Sequence, residues 1–133
     1  VAGMDYSISS DIAVIDTTFD GLKDTAYVGD NGGNMWRLNL NDSDPANWTV
    51  QHIGAIGGHT AATRRKLQHR PDVVYASDGS GYFSAVLFGS GDREHPFDAT
   101  VTNEFYMLKD RGLGTTTLDS DLFDATVATG SNT

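Results

Sequence analysis

Apolar residues occur in short runs separated by polar, glycine-rich stretches along the whole chain. In the first half, four runs of β-branched, aromatic or alternating apolar residues predict strands rather than helices, at 11–15, 25–29, 35–40 and 48–56. Because these four strands follow one another in sequence, we expect them to form one antiparallel sheet.

The connection between the second and third strands carries the clearest turn signal. Residues 30–33 read Asp-Asn-Gly-Gly, and the Asn-Gly pair tolerates the positive φ angles of a tight hairpin turn. We therefore predict a β-hairpin at this position.

A second set of three strands is predicted later in the chain, at 71–76, 82–89 and 104–108. It echoes the first set, because 87–90 resembles 27–30 and 104–108 resembles 34–38. Repeated antiparallel sheets of ~40–60 residues are typical of β-propeller blades. We expect an all-β fold of four-stranded blades from a modified β-propeller, with a single seven-stranded sandwich as the alternative.

The length of the chain limits how much of a propeller it can form. Closure needs at least about four blades, whereas residues 1–111 suffice for about two. We therefore expect the chain to be part of a longer polypeptide. Because it begins at Val1 rather than Met, we also expect that processing or truncation removed any targeting segment. The remaining 112–133 are rich in Thr, Ser and Gly and are predicted to form a linker-like tail with one helical turn at 120–125.

Composition narrows the possible partners. Lys+Arg 9 against Asp+Glu 18 gives a net charge of -9, which argues against nucleic acid, since that binding needs basic residues. No apolar run approaches the ~20 residues of a membrane-spanning helix, and none follows a basic N-terminal stretch, so neither a span nor a signal peptide is predicted. The absence of cysteine excludes disulfides and thiolate chemistry. Four basic residues fall within 64–70, which we interpret as a solvated loop face rather than an anion site.

The loop between the first two strands has the form D-x-T-x-D-G-x-x-D over residues 16–24. Calcium binds six to eight oxygens at about 2.3–2.6 Å, and alternate positions of a curled loop direct their oxygens to one centre. The predicted ligands are four side chains and one backbone carbonyl, namely Asp16, Thr18, Asp20, Asp24 and the carbonyl of Leu22.

An EF-hand does not fit this loop, because its third position is Thr18 and its twelfth is Tyr27 rather than Glu. The alternative is a solvated Asp-Gly turn. Oxygen-bearing residues at positions one, three, five and nine favour calcium, and the hydroxyl of Thr18 predicts a lower affinity than a carboxylate would give.

A second polar cluster lies at 89–96, with the sequence GSGDREHP. A catalytic interpretation would use Glu94 and His95 as acid and base, with Asp92 orienting the imidazole. Neighbouring residues of an extended chain point to opposite sides, which favours a structural turn in which Arg93 pairs with Asp92 or Asp98.

Several separate motifs resemble one known family. They are SDIAVID at 10–16, the loop to Asp24, TAYVGDNGGNMWRLNL, RRKLQHRPDVV, AVLFGSGDREHPFD and NEFYMLKDR. Together they resemble the C-terminal domain of PilY-type proteins, the pilus-tip adhesin and biogenesis factors of bacterial type IV pili. The resemblance implies a modified β-propeller, a calcium loop matching 16–24, an outer-membrane-associated location at the cell surface or fimbrium, and roles in pilus extension against retraction and in surface attachment.

The leading hypothesis is therefore a non-enzymatic module with pilus proteins, such as minor pilins at the pilus tip, and a host or surface receptor as partners. One alternative is a quinoprotein-like dehydrogenase, which needs a cofactor cavity and a catalytic Asp beside its ion. Another is an integrin-like calcium-binding scaffold repeat. The motifs GSGDREHP and FYMLKDR distinguish the leading hypothesis from this one, because a generic scaffold repeat would not need them.

Overall fold

The computed structural model describes residues 3–58 and 60–125. These residues form two β-sheets with two short 3-10 helices, Pro45–Asn47 and Asp119–Asp121. The strands are β1 Ala13–Ile15, β2 Thr25–Gly29, β3 Asn34–Asn39, β4 Thr49–Ala55, β5 Asp72–Asp78, β6 Gly81–Gly89, β7 Phe105–Asp110 and β8 Thr117–Leu118. Within this part of the chain, no helix is long and apolar enough to cross a membrane.

The first sheet has the order β1-β2-β3-β4-β8. Strands β1 to β4 are consecutive and antiparallel, so the predicted first sheet is confirmed. Strand β8 was not predicted; it pairs with β4 in parallel, opposite Gly54 and Ala55. Its two residues are too few to show any alternation of apolar and polar positions.

The second sheet has the order β5-β6-β7, and all its pairs are antiparallel, as predicted. It has three strands among the described residues, one fewer than the blade pattern calls for. Strand β7 alternates strictly: Tyr106 and Leu108 are buried, whereas Phe105 and Met107 are exposed. One face of this sheet therefore contributes to the core and the other lies open.

Apolar side chains from both sheets and from the connection between them form one core. Met35 and Ile53 come from the first sheet, Val86 and Leu108 from the second. A Cβ at Gly54 would lie 2.6 Å from Cδ1 of Leu108, so a larger residue at this position would displace the Leu108 side chain where the two sheets are in contact.

The predicted hairpin joins β2 to β3 and is organised by Asp30, whose side chain is fully buried. Its carboxylate accepts hydrogen bonds from the amides of Gly32 at 2.8 Å and Asn34 at 3.0 Å, and from Nε1 of Trp36 at 2.8 Å. The positive φ, +82°, falls at Gly33 rather than within the Asn-Gly pair. The reason is that the Asp30 carbonyl accepts the amide of Gly33 and closes the turn there.

A partly buried ion pair joins the two sheets. Nη1 of Arg37 on β3 lies 2.7 Å and 2.9 Å from the carboxylate oxygens of Asp110 on β7, and the hydroxyl of Tyr27 donates to the same carboxylate at 2.8 Å. Burial, followed by the negative charge of Asp110, raises the pKa of Tyr27 well above its ordinary value. Tyr27 therefore stays a hydrogen-bond donor at any physiological pH.

The predicted tail is partly described. Its helical turn, expected at 120–125, is observed as the 3-10 turn Asp119–Asp121, where the Asp121 carboxylate accepts the amide of Leu118 at 2.8 Å. Residues 126–133 of the predicted linker lie outside the described residues. The domain boundary between 111 and 112 remains a prediction.

Replacing Asp30 by Ala is expected to destabilise the fold by about 3 kcal/mol or more, because four buried donors, the amides of Gly32 and Asn34, Nδ2 of Asn34 and Nε1 of Trp36, lose their acceptor. Urea unfolding followed by tryptophan fluorescence would measure the loss. The control is Asp44→Ala, which removes a cap from an exposed 3-10 turn and is expected to cost about 1 kcal/mol or less. Similar losses for the two variants would contradict the central role of Asp30.

Candidate metal centre

The candidate calcium loop, 16–24, connects β1 to β2 at the edge of the first sheet. Ile15 and Thr25 pair at its base, and the amide of Asp24 donates to the Ile15 carbonyl at 3.1 Å. Both ends of the loop are therefore fixed by the sheet, and the intervening residues are free to curl around their own polar side chains.

Asp16 orders the first half of the loop. Its carboxylate accepts hydrogen bonds from the amides of Phe19 at 2.6 Å and Gly21 at 2.7 Å, with the amide of Asp20 further away at 3.3 Å. Burial alone would raise the pKa of Asp16, but the amide hydrogen bonds from Gly21 and Phe19 outweigh it and lower the pKa below its ordinary value. Asp16 is thus ionised at neutral pH and faces into the loop.

Asp24 anchors the other end of the loop and is only 4% exposed. Its carboxylate accepts hydrogen bonds from the Thr17 hydroxyl at 2.7 Å and from the Thr18 amide and hydroxyl, each at 3.1 Å. Burial alone would raise the pKa of Asp24, but the threonine hydrogen bonds, first those from the hydroxyls of Thr17 and Thr25, lower it to about 2.

Asp20 and Leu22 lie on the outer part of the loop, and both are exposed. The Asp20 carboxylate accepts the amide of Leu22 at 2.8 Å, which closes a local turn. Between them, Gly21 has φ +92°, a conformation that side-chain-bearing residues rarely adopt. The sharp turn predicted at the Asp-Gly pair is therefore present.

The donor set suits a hard divalent cation, since every candidate ligand supplies oxygen. The ligand atoms of Asp16, Asp20 and Asp24 are nevertheless not gathered within 4.8 Å of one another in the described structure. The hydroxyl of Thr18 donates its proton to Asp24, which leaves the lone pairs of its oxygen available to a cation. The residues fit calcium chemically, and the site itself stays a prediction.

The second polar cluster is held together by Lys66. Nζ of Lys66 lies 2.6 Å from Asp92 Oδ2, and Nδ1 of His95 lies 3.2 Å from the same oxygen. Lys66 lowers the pKa of Asp92 to about 2. Asp92, Glu94 and His95 do bring ligand atoms within 4.8 Å of one another, but the ammonium of Lys66 already neutralises Asp92. The structural interpretation of this turn is favoured over catalysis.

The predicted ion pair of Arg93 with Asp92 or Asp98 is wrong, because no ion pair among the described residues joins Arg93 to either acid. The amide of Gly91 donates to the Lys66 carbonyl at 2.9 Å, which brings Lys66 rather than Arg93 next to Asp92.

The interpretation of the basic loop as a solvated face is also wrong for Arg65 and Lys66. Arg65, whose side chain is 17% exposed, pairs with Glu104 at 3.0 Å and Asp119 at 2.9 Å. The loop instead joins the second sheet to the residues after β8. The two acidic partners of Arg65 are 39 and 54 positions away in the chain, so no local sequence pattern could have shown them.

Two important polar sites were not recognised in the sequence. The burial of Asp30 had a local signal, because the acid directly follows the strand TAYVG, which carries no charged residue, and precedes a turn and a tryptophan. The pairing of Arg37 with Asp110 had none, since 73 positions separate the two residues.

Comparisons with known proteins agree on one family. The family model described as the PilY1 beta-propeller domain matches residues 1–110. The curated relative "Type IV pilus biogenesis factor PilY1 homolog" of Xylella fastidiosa is 32% identical over 97 residues, which cover 68% of this chain and 6% of the relative.

The crystal structure of the Pseudomonas aeruginosa PilY1 C-terminal domain matches with a TM-score of 0.62 at 21% identity. The match covers 81% of this chain and 28% of the solved chain, so it supports the fold. The chain thus spans a small part of the proteins it resembles.

Acidification is expected to remove the stabilisation that Asp24 provides. Its folded-state pKa of about 2 lies below the ordinary 3.8, so the contribution is complete above about pH 5 and is lost as the pH falls through the folded value. We expect the loss of this contribution to lower the free energy of unfolding by about 1–2 kcal/mol between pH 7 and pH 2.5. Urea unfolding at pH 7, 4 and 2.5 would measure the change.

Asp24→Asn is the matched variant for this experiment, because it keeps the size of the side chain and removes its titration. It should be less stable than the wild-type chain at pH 7, and the difference should shrink toward pH 2. A constant difference at all three pH values would contradict the assignment.

Proposed function

The chain belongs to the PilY1 beta-propeller domain family, and from that premise we propose that it is a calcium-binding segment of a type IV pilus-associated adhesin and biogenesis protein. Its all-β fold of antiparallel sheets is that of a partial β-propeller. The seven-stranded sandwich is therefore set aside.

The observation that carries the proposal is the family match over 1–110, which includes strands β1 to β7 and the candidate calcium loop. The curated relative is named for pilus biogenesis, and this chain covers 6% of it, so the activity of the whole protein enters here by proposal. The segment is non-enzymatic, lies at the cell surface or on the fimbrium, and favours pilus extension over retraction. Its partners are pilus proteins, including minor pilins at the tip, and a host or surface receptor.

Five residues would hold the calcium ion: Asp16, Thr18, Asp20, Asp24 and, through its carbonyl, Leu22. When bound, the ion would neutralise the carboxylates of the loop, which repel one another by about 1 kcal/mol per pair in water and by more near a protein surface. The chemistry that the ion would supply is electrostatic and structural.

The chain's own residues determine what this neutralisation would stabilise. Asp16 holds the amides of Phe19 and Gly21, and Asp24 holds Thr17 and Thr18 beside the first pair of β1 and β2. A cation that fixes both carboxylates would therefore fix the connection between these strands. At a calcium concentration about 100-fold above Kd, the folded state gains about 2.7 kcal/mol.

Removing calcium with EDTA is expected to lower the melting temperature of the chain by several degrees, because a ligand that binds only the folded state stabilises it. Asp20→Ala should abolish this EDTA effect, since it removes an exposed loop carboxylate without disturbing the core. Differential scanning calorimetry with and without EDTA would measure both effects.

Asp5→Asn serves as the control, because Asp5 is an exposed acid outside the loop, and it should keep the full EDTA response. A wild-type melting curve that EDTA does not change would contradict a structural ion at this loop.

Deleting the coding region of this chain in the bacterium that carries it is expected to reduce the number of surface pili. If the segment favours extension over retraction, the pili should return when the retraction motor is also removed. Electron microscopy of the single and double deletions would measure this. Unchanged piliation in the single deletion, or no recovery in the double deletion, would count against the proposed role.

A further inference from the structure

Phe19, in the middle of the candidate calcium loop, has an unusual backbone conformation. Its φ is +60°, and it is the one non-glycine residue with a positive φ among the described residues. A bulky side chain is rare in this left-handed region, because its Cβ crowds the neighbouring carbonyl. Some other interaction must offset the resulting cost.

Two interactions hold Phe19 in this conformation. The amide of Phe19 donates to Asp16 at 2.6 Å, and its ring lies edge-on against Tyr75 with centroids 5.1 Å apart and planes at 77°. Edge-to-face aromatic pairs of this geometry are attractive beyond the area they bury. Tyr75 in turn stacks on Tyr82, with centroids 5.6 Å apart and planes at 9°.

The contact crosses from one sheet to the other. Phe19 belongs to the loop after β1, whereas Tyr75 lies on β5, and β1 and β5 are in contact. The three rings are 69%, 49% and 70% exposed for Phe19, Tyr75 and Tyr82, so they lie outside the core. Because they bury little surface, their main effect is the contact that they make between the candidate calcium loop and β5.

We propose that Tyr75 is a positioning residue for the candidate calcium loop. Its ring holds Phe19 in the left-handed conformation, and this conformation sets the path of the backbone from Thr18 to Asp20, two of the predicted ligand positions. Without Tyr75, Phe19 relaxes to a negative φ, its amide leaves Asp16, and the loop loses the arrangement suited to a cation. This inference rests on the proposed calcium function.

Thermodynamic linkage makes the effect of Tyr75 on calcium binding reciprocal. If Tyr75 favours the loop conformation that binds calcium, calcium must favour the contact between Phe19 and Tyr75 by the same factor. Calcium bound to the first sheet would thereby strengthen its attachment to the second. The loop would then act on the relative placement of the two sheets as well as on its own order.

Isothermal titration of the 133-residue chain with calcium chloride tests the inference. Tyr75→Ala, which removes no predicted ligand, is expected to weaken calcium binding about threefold to tenfold. Tyr75→Phe should bind within about twofold of wild type, since the contact uses the ring rather than the hydroxyl. Val74→Ala is the matched control, because Val74 is equally half-exposed, at 48%, but points to the opposite face of β5.

Two substitutions of Phe19 separate the ring from the backbone. Phe19→Ala loses the ring and keeps the cost of a positive φ, whereas Phe19→Gly loses the ring and removes that cost. We therefore expect Phe19→Gly to bind calcium more tightly than Phe19→Ala. Equal affinities, or tighter binding by Phe19→Ala, would show that the positive φ of Phe19 does not limit calcium binding and would count against the inference.

Circular dichroism in EDTA establishes that each variant is folded before titration. If Tyr75→Ala does not fold, Tyr75→Leu keeps apolar volume without the aromatic ring and should weaken binding in the same direction. Calcium binding by the wild type with an unchanged affinity in a folded Tyr75→Ala would overturn this inference alone. Heat of dilution alone from the wild type would overturn both this inference and the proposed calcium site.

Discussion

The fold depends on the buried carboxylate of Asp30. This side chain has no exposed surface and accepts hydrogen bonds from the turn after β2 and from the indole of Trp36 on β3. The backbone carbonyl of the same residue accepts the amide of Leu67, whose side chain belongs to the core. Asp30 thus fixes the hairpin of the first sheet and the path of the connection that leads to the second.

In the candidate calcium loop, at the surface, Asp carboxylates organise the backbone by the same kind of hydrogen bond. Asp16 and Asp24 each gather several donors from the loop backbone, as Asp30 does in the hairpin. This explains a bias in composition: of the 18 acidic residues, all but Glu94 and Glu104 are Asp. An Asp side chain is short enough to reach the amides two to five positions further on, which a Glu does less well. Acidic turns therefore serve the architecture whether or not an ion joins them.

Charged pairs set how the two sheets lie against each other. The apolar core supplies most of the burial, but apolar contacts are weakly directional. Arg37 with Asp110 and Lys66 with Asp92 add fixed geometry at two places on the boundary between the sheets or their loops. If Phe19 and Tyr75 act as proposed, they add a third link, and it would be the one that responds to calcium.

The sequence by itself determined strands β1 to β7, the hairpin, the class of the fold and the family, because these depend on local alternation, turn residues and motifs in a fixed order. It also placed an oxygen-rich loop between β1 and β2, since spacing along one short segment is a local property. Only the tertiary structure decided that Asp30 is buried, that Lys66 rather than Arg93 neutralises Asp92, and that Phe19 meets Tyr75. The partners of Lys66 and Phe19 lie far away in the chain and are chosen by how the sheets pack, and the burial of Asp30 follows from the same packing.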